Sequence, residues 1–155
     1  MTTPVTIRIQ SADFDIAAEI AALTKGNTDI GAVVSFSGIC RGGEGDKAIA
    51  AMTLEHYPGM AEAEIGRHVS EAIARWPLTG VTVIHRFGRV VPGDNIVLVL
   101  TASVHREAAF QAAEFLMDYL KTNAPFWKSE QRTDDNTVWV DAQTHDDNAA
   151  ARWKK

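Results

Sequence analysis

Eight consecutive residues, Ile96-Val97-Leu98-Val99-Leu100-Thr101-Ala102-Ser103, carry no charge and little polarity. A run this short and this apolar reads as a strand covered on both faces, near the middle of a sheet. Its sequel constrains the fold further. Ser103 is placed to cap a helix, with His105 and Arg106 in the first turn. Phe110, Ala113, Met117 and Leu120 then recur at helical spacing. Pro125 cannot continue a helix and Asn123 tolerates a left-handed exit, so the helix should end near Lys121 or Thr122. At 100° per residue Lys121 lies roughly 20° from Phe110, which places it on or beside the apolar stripe. A lysine there either caps the helix C-terminus or lines a pocket.

The rest of the chain alternates in the same way. Val5, Ile7 and Ile9 mark a first strand, and Ser11 or Asp13 could cap a helix through Ile16, Ile20 and Leu23 to Gly26. Gly31 to Gly38 reads as a buried strand, running into the glycine-rich stretch Ile39-Cys40-Arg41-Gly42-Gly43-Glu44-Gly45-Asp46. That stretch is either a flexible connection or a close approach to a ligand; it lacks the spacing of a phosphate loop. Ala50 to Tyr57 is a strand, and Pro58 opens a helix with Met60, Ile65, Val69, Ile73 and Trp76 inward, stopped by Pro77. Val81 to Gly88 is a further strand, in which His85 reads as a structural histidine. Pro92-Gly93-Asp94-Asn95 is a turn. Ser129 to Arg132 and Thr137 to Asp141 flank a hairpin turn at Asp134-Asp135-Asn136, and the tail from Thr144 reads as frayed. Strands joined by turns, with helices between some of them, favour an α+β fold with a mixed, mainly antiparallel sheet. No linker or repeat divides the 155 residues, so one domain is expected.

Charge narrows the function. A net charge of −5 argues against a nucleic-acid or membrane-surface binder. The single cysteine, Cys40, excludes an internal disulfide, and the scattered histidines give no metal-ligand spacing. No apolar run suggests a signal or a membrane span, so a cytoplasmic protein without metal or cofactor is expected. An acidic chain can still gather its few cations into one anion pocket. Arg41, at the end of a strand, offers a planar fork to an anion. His105 and Arg106 at a helix N-terminus are either solvated first-turn residues or an anion site. Lys121 and Lys128 bracket a helix stop, the second directly after Phe126-Trp127. His105 and Lys121 stand about 24 Å apart along one helix, so one small substrate cannot touch both within a chain. Separate sites, or a two-fold dimer that joins the two ends, would resolve this.

Taken together, Phe36-Ser37-Gly38 with Arg41, Leu54-Glu55-His56-Tyr57-Pro58-Gly59-Met60, Arg75-Trp76-Pro77, Val83-Ile84-His85-Arg86 with Gly88, Pro92-Gly93-Asp94, His105-Arg106, and Asp118 through Lys128 resemble the large, catalytic subunit family of molybdopterin synthase. The resemblance runs from about Gly31 to Trp153. It implies an α/β-hammerhead type α+β domain, dimerising at the centre of a heterotetramer. It also implies a small ubiquitin-like sulfur-carrier subunit whose C-terminal Gly-Gly thiocarboxylate enters a pocket. Two sulfurs would pass to cyclic pyranopterin monophosphate, forming the dithiolene of molybdopterin. By position Lys121 and Lys128 match the family's catalytic lysines, and Arg41, His105 and Arg106 its substrate-binding residues. Ile39, Cys40, Ser129 and Glu130 fall in the same binding segments; Ile39-Cys40 departs from the usual pair there. A non-catalytic adaptor holding the Gly-Gly tail is the alternative.

Overall fold

The computed structural model describes residues 2–45, 48–123, 125–133, 136–140 and 149–154. Its elements are β1 (Val5–Gln10), α1 (Ile16–Thr24), β2 (Ala32–Ile39), β3 (Ile49–His56), α2 (Met60–Arg75), β4 (Leu78–Arg86), β5 (Gly88–Val90), β6 (Asn95–Ser103), α3 (Arg106–Thr122), β7 (Phe126–Arg132) and β8 (Thr137–Val140). The strands form two sheets rather than one. The first has the order β1-β4-β6-β2, the second β5-β3-β7-β8. Only β1 and β4 pair in parallel; every other ladder among the described residues is antiparallel.

The apolar run at 96–103 is an interior strand of the first sheet, as its composition requires. Val97 and Val99, with Val81 and Val83 of β4, face α2 and α3 through Ile65, Val69, Ala112, Phe115 and Leu116. Leu98 and Leu100, with Ile84, face the other way onto Phe14 and the apolar side of α1. The strand at 32–39 differs from expectation: it is the sheet's edge, and Ser35 and Phe36 are exposed. The second sheet has its own small core of Cys40, Ile49, Met52, Leu54 and Val90.

Helix α3 buries Ala108, Ala109, Ala112, Ala113, Phe115, Leu116, Met117 and Tyr119. Four alanines in two turns let its axis lie close on the sheet, and the Thr101 hydroxyl donates to the Ala109 carbonyl at 2.6 Å. The buried face is therefore rotated from the expected stripe. Phe110 is 61% exposed, and Lys121, which shares its direction, is exposed too. Ser103 does not cap the helix, because its hydroxyl donates to the Pro77 carbonyl and ends β6. His105 is the N-cap residue, without a side-chain cap bond, and Arg106 is the first helical residue. The helix ends at Thr122 as expected, but Asn123 keeps a right-handed φ of −112°. In α2 the buried residues are Ala61, Ile65, His68, Val69 and Ala72, while Met60 is exposed. Helix α1 is capped by the Asp15 carboxylate rather than by Ser11 or Asp13.

Asp134, Asp135, Asp141 and the segment from Thr144 to Asn148 lie outside the described residues. The end of the chain is not frayed throughout. Residues 149–151 are helical and Ala150 is buried. Trp153 packs edge-on against Trp76 and Phe115, and its indole N–H donates to Asp118.

Candidate functional site

The link from α3 to β7 sets up the basic end of the molecule. The last turn of α3 is closed locally: the Thr122 hydroxyl donates to the Asp118 carbonyl at 2.9 Å, and the Asn123 N–H to the Tyr119 carbonyl at 2.8 Å. Pro125 breaks the helix and Phe126 begins β7. Along a strand alternate side chains share a face, so Phe126, Lys128 and Glu130 point one way and Trp127 and Ser129 the other. Lys128 lies opposite Leu54 of β3 and Val140 of β8, and is half-buried. Trp127 meets Tyr57 edge to face on the outer side.

Phe126 enters a column of rings. The His85 imidazole lies flat on it, with centroids 3.8 Å apart and planes 15° apart. His56 follows on Phe126 at 6.0 Å and packs against Phe87 at 4.8 Å. His85 is buried at the end of β4, and its Nδ1 sits 2.8 Å from the Arg86 carbonyl. That carbonyl can only accept, so Nδ1 carries the proton and Nε2 is bare in the neutral ring. Burial pushes the His85 pKa down to about 4; the charges of Lys128, Lys121 and His56 push the same way, against the hydrogen bond to Arg86. The fields of both lysines therefore converge on one neutral imidazole. Sequence pattern alone marks His85 as structural and nothing more. Its place at the end of an otherwise apolar strand, just before Arg86, is the one local signal it carries.

The second sheet places the neighbouring residues. Glu130 shares the Lys128 face and pairs with Arg132 at 3.1 Å. Ser129, expected beside it, points to the opposite face across from Thr53 and Trp139. Cys40 is buried; desolvation, then the negative charges of Asp94 and Glu130, raise its thiol pKa. The thiol therefore stays protonated and unreactive. Cys40 is held at both ends of its peptide, donating its N–H to the Asp94 carbonyl and accepting from the Gly93 N–H. The turn at Pro92-Gly93-Asp94 thus fixes where Arg41 leaves the fold. Arg41 and Ile39 are both exposed.

His105 and Arg106 are not brought to this place. They are exposed at the opposite end of α3, whose seventeen residues separate them from Lys121 by about 24 Å within the chain. Exposed apolar side chains accompany that end and the open sheet edge: Phe36 on β2, Val104 and Phe110 on or beside α3. Among the described residues, no group of His, Cys, Asp and Glu could hold a metal ion.

Among the described residues, two sheets packed with α1, α2 and α3 define an α+β protein, with Lys121 and Lys128 on either side of the α3–β7 link. The chain belongs to the MoaE protein family, whose model matches residues 9–123. It is 65% identical over 150 residues to the molybdopterin synthase catalytic subunit of Mesorhizobium japonicum, covering 96% of this chain and 93% of that protein. Among solved structures, the molybdopterin biosynthesis MoaE protein from Burkholderia ambifaria superposes with a TM-score of 0.81 at 50% identity, over 96% of this chain and 97% of that one. Molybdopterin synthase from Staphylococcus aureus superposes with a TM-score of 0.77 at 26% identity, over 90% and 96%.

Proposed function

We propose that this chain is the catalytic subunit of a molybdopterin synthase. It takes two sulfurs from the thiocarboxylated Gly-Gly terminus of a small ubiquitin-like subunit and places them on cyclic pyranopterin monophosphate. Each transfer makes a carbon–sulfur bond on the pterin side chain and breaks a carbon–oxygen bond there: one opens the cyclic phosphate to a phosphate monoester, the other expels the second oxygen as water. Water then cleaves the acyl–sulfur bond, and the tail is left as a carboxylate. The observation that carries the reading is that Lys121, at the end of α3, and Lys128, the third residue of β7, stand on either side of the helix stop at Pro125. Both reactants are anions, and two ammonium groups at one end of an acidic protein attract and neutralise them. Relatives bearing this name across nearly the whole chain support the same assignment.

The roles divide by position. Lys121, exposed at the helix end, meets the incoming tail and moves protons during transfer. Lys128, half-buried on β7, orients the reacting groups and balances their charge. Arg41, His105 and Arg106 hold the substrate phosphate, with the first free N–H groups of α3 contributing at His105 and Arg106. Ile39, Cys40, Ser129 and Glu130 border the pocket, and Cys40 relays no sulfur. The two ends of α3 meet across a homodimer, which the exposed Phe36, Val104 and Phe110 and the open β2 edge favour. Residues 1–155 act as one cytoplasmic catalytic domain, two copies forming the core of a heterotetramer.

The test supplies the thiocarboxylated small subunit and cyclic pyranopterin monophosphate, and follows molybdopterin formation by wild type and Lys121→Ala. Product from the wild type alone is expected. No product despite a bound small subunit would favour an adaptor that only captures the tail. Equal product from both would move the chemistry to Lys128. For the composite site, a heterodimer of His105→Ala and Lys121→Ala chains should recover part of the activity that each homodimer lacks.

A further inference from the structure

The ring column spans both sheets. His85 comes from β4 of the first sheet, and Phe126 and His56 from β7 and β3 of the second. Phe126 stands five residues past Lys121 and two before Lys128. It is the first residue of β7, and side chains two apart on a strand are separated by about 7 Å on the same face. Where Phe126 is held, the strand backbone that carries Lys128 is held too, while Lys121 is carried separately by α3.

We propose that His85 is a positioning residue for sulfur transfer: stacked flat on Phe126, it sets the distance and direction of Lys128 relative to Lys121. This rests on the reading of those two lysines as the reacting pair. Three features suit an imidazole to the task. Its ring plane lies 15° from that of Phe126, so the contact is face to face and a tilt of one ring moves the other. Its Nδ1–H is tied to the Arg86 carbonyl, which blocks rotation of the ring in the stack. A phenyl ring would keep the first property and lose the second. The third feature is charge. Burial, with the charges of Lys128, Lys121 and His56, keeps the ring neutral, so it adds no third cation beside the two lysines.

The experiment compares His85→Leu, which keeps bulk without a flat ring, with His85→Phe, which keeps the ring without its tie. Both are assembled as full-length protein with the thiocarboxylated small subunit. Single-turnover sulfur transfer to cyclic pyranopterin monophosphate is measured, along with affinity for the small subunit. A misplacement of about 1 Å at a reacting group can lower a rate by about a hundredfold. The expected result is a loss of about tenfold or more in the transfer step for His85→Leu, with small-subunit affinity unchanged, and recovery to within about threefold for His85→Phe. A purely structural histidine would lower the yield of folded protein and leave the rate per folded site alone. Equal rates for the Leu and Phe variants, or a wild-type rate for His85→Leu, overturn the proposal. Lys121→Ala and Lys128→Ala are run beside them. Wild-type rates in those two would instead remove the lysine reading, and the proposal with it. Should His85→Leu fail to fold, Phe126→Leu removes the other half of the stack and must show the same loss.

Discussion

Acid should weaken this fold through His85 in a way that one substitution removes. The ring titrates near its ordinary value of 6.5 in the unfolded chain and at about 4 in the folded one. Between those values the unfolded state binds a proton that the folded state does not, so stability rises with pH across that window. The contribution is fully present above about pH 6.5 and is lost as pH falls toward 4. At 1.36 kcal/mol per pKa unit, the full difference is about 3 kcal/mol, and about 2.5 kcal/mol of it is gone by pH 4.5. His68 is also held below its ordinary value by burial, and Asp13 is lowered chiefly by its Asn95 hydrogen bond; both add acid losses of the same sign. The informative quantity is therefore a difference between two proteins. Urea unfolding at fixed protein concentration, at pH 7.5 and 4.5, is compared for wild type and His85→Phe. Wild type should lose about 2.5 kcal/mol more than the variant over that interval. Parallel losses in the two proteins would refute the buried, uncharged imidazole.

Other consequences concern packing. A Cβ at Gly31 would stand 2.1 Å from the Val104 carbonyl oxygen, so Gly31→Ala must push the lead-in to α3 aside. It should cost about 1–3 kcal/mol in thermal or urea unfolding and should lower activity by displacing His105 and Arg106. Cys40→Ala removes a buried, protonated thiol; sulfur transfer should stay within about threefold of wild type, with a stability loss of about 1 kcal/mol. Trp153→Ala strips the ring that closes against Trp76 and Phe115, together with its bond to Asp118. About 2–4 kcal/mol of stability should go with it, read by urea unfolding.

The strands at 5–10, 49–56 and 95–103 and the helix ending at Thr122 could be read in the sequence because each is decided locally, by alternation, by an apolar run or by a proline. The misreadings of α3 and β2 share one cause. Periodicity reports that a side of a helix is apolar; it does not say what that side faces. In α3 the stripe through Phe110 resembles a core stripe because Phe110 is its largest apolar member. The sheet instead takes the alanine side, which permits closer approach, and leaves Phe110 and Lys121 outward. The same limit hides the edge position of β2, whose apolar and small residues resemble those of a covered strand. Lys121 and Lys128 can be singled out by their spacing around Pro125. His85 cannot, because its meaning comes from Phe126, which is 41 residues further along the chain. A ring contributed by another strand leaves no mark on local pattern. The exposed side of α3 carries the same lesson: Phe110, Lys121 and Arg106 are ordinary helix residues, and under the composite site proposed above their surroundings would be completed by the partner copy, which no local pattern can announce.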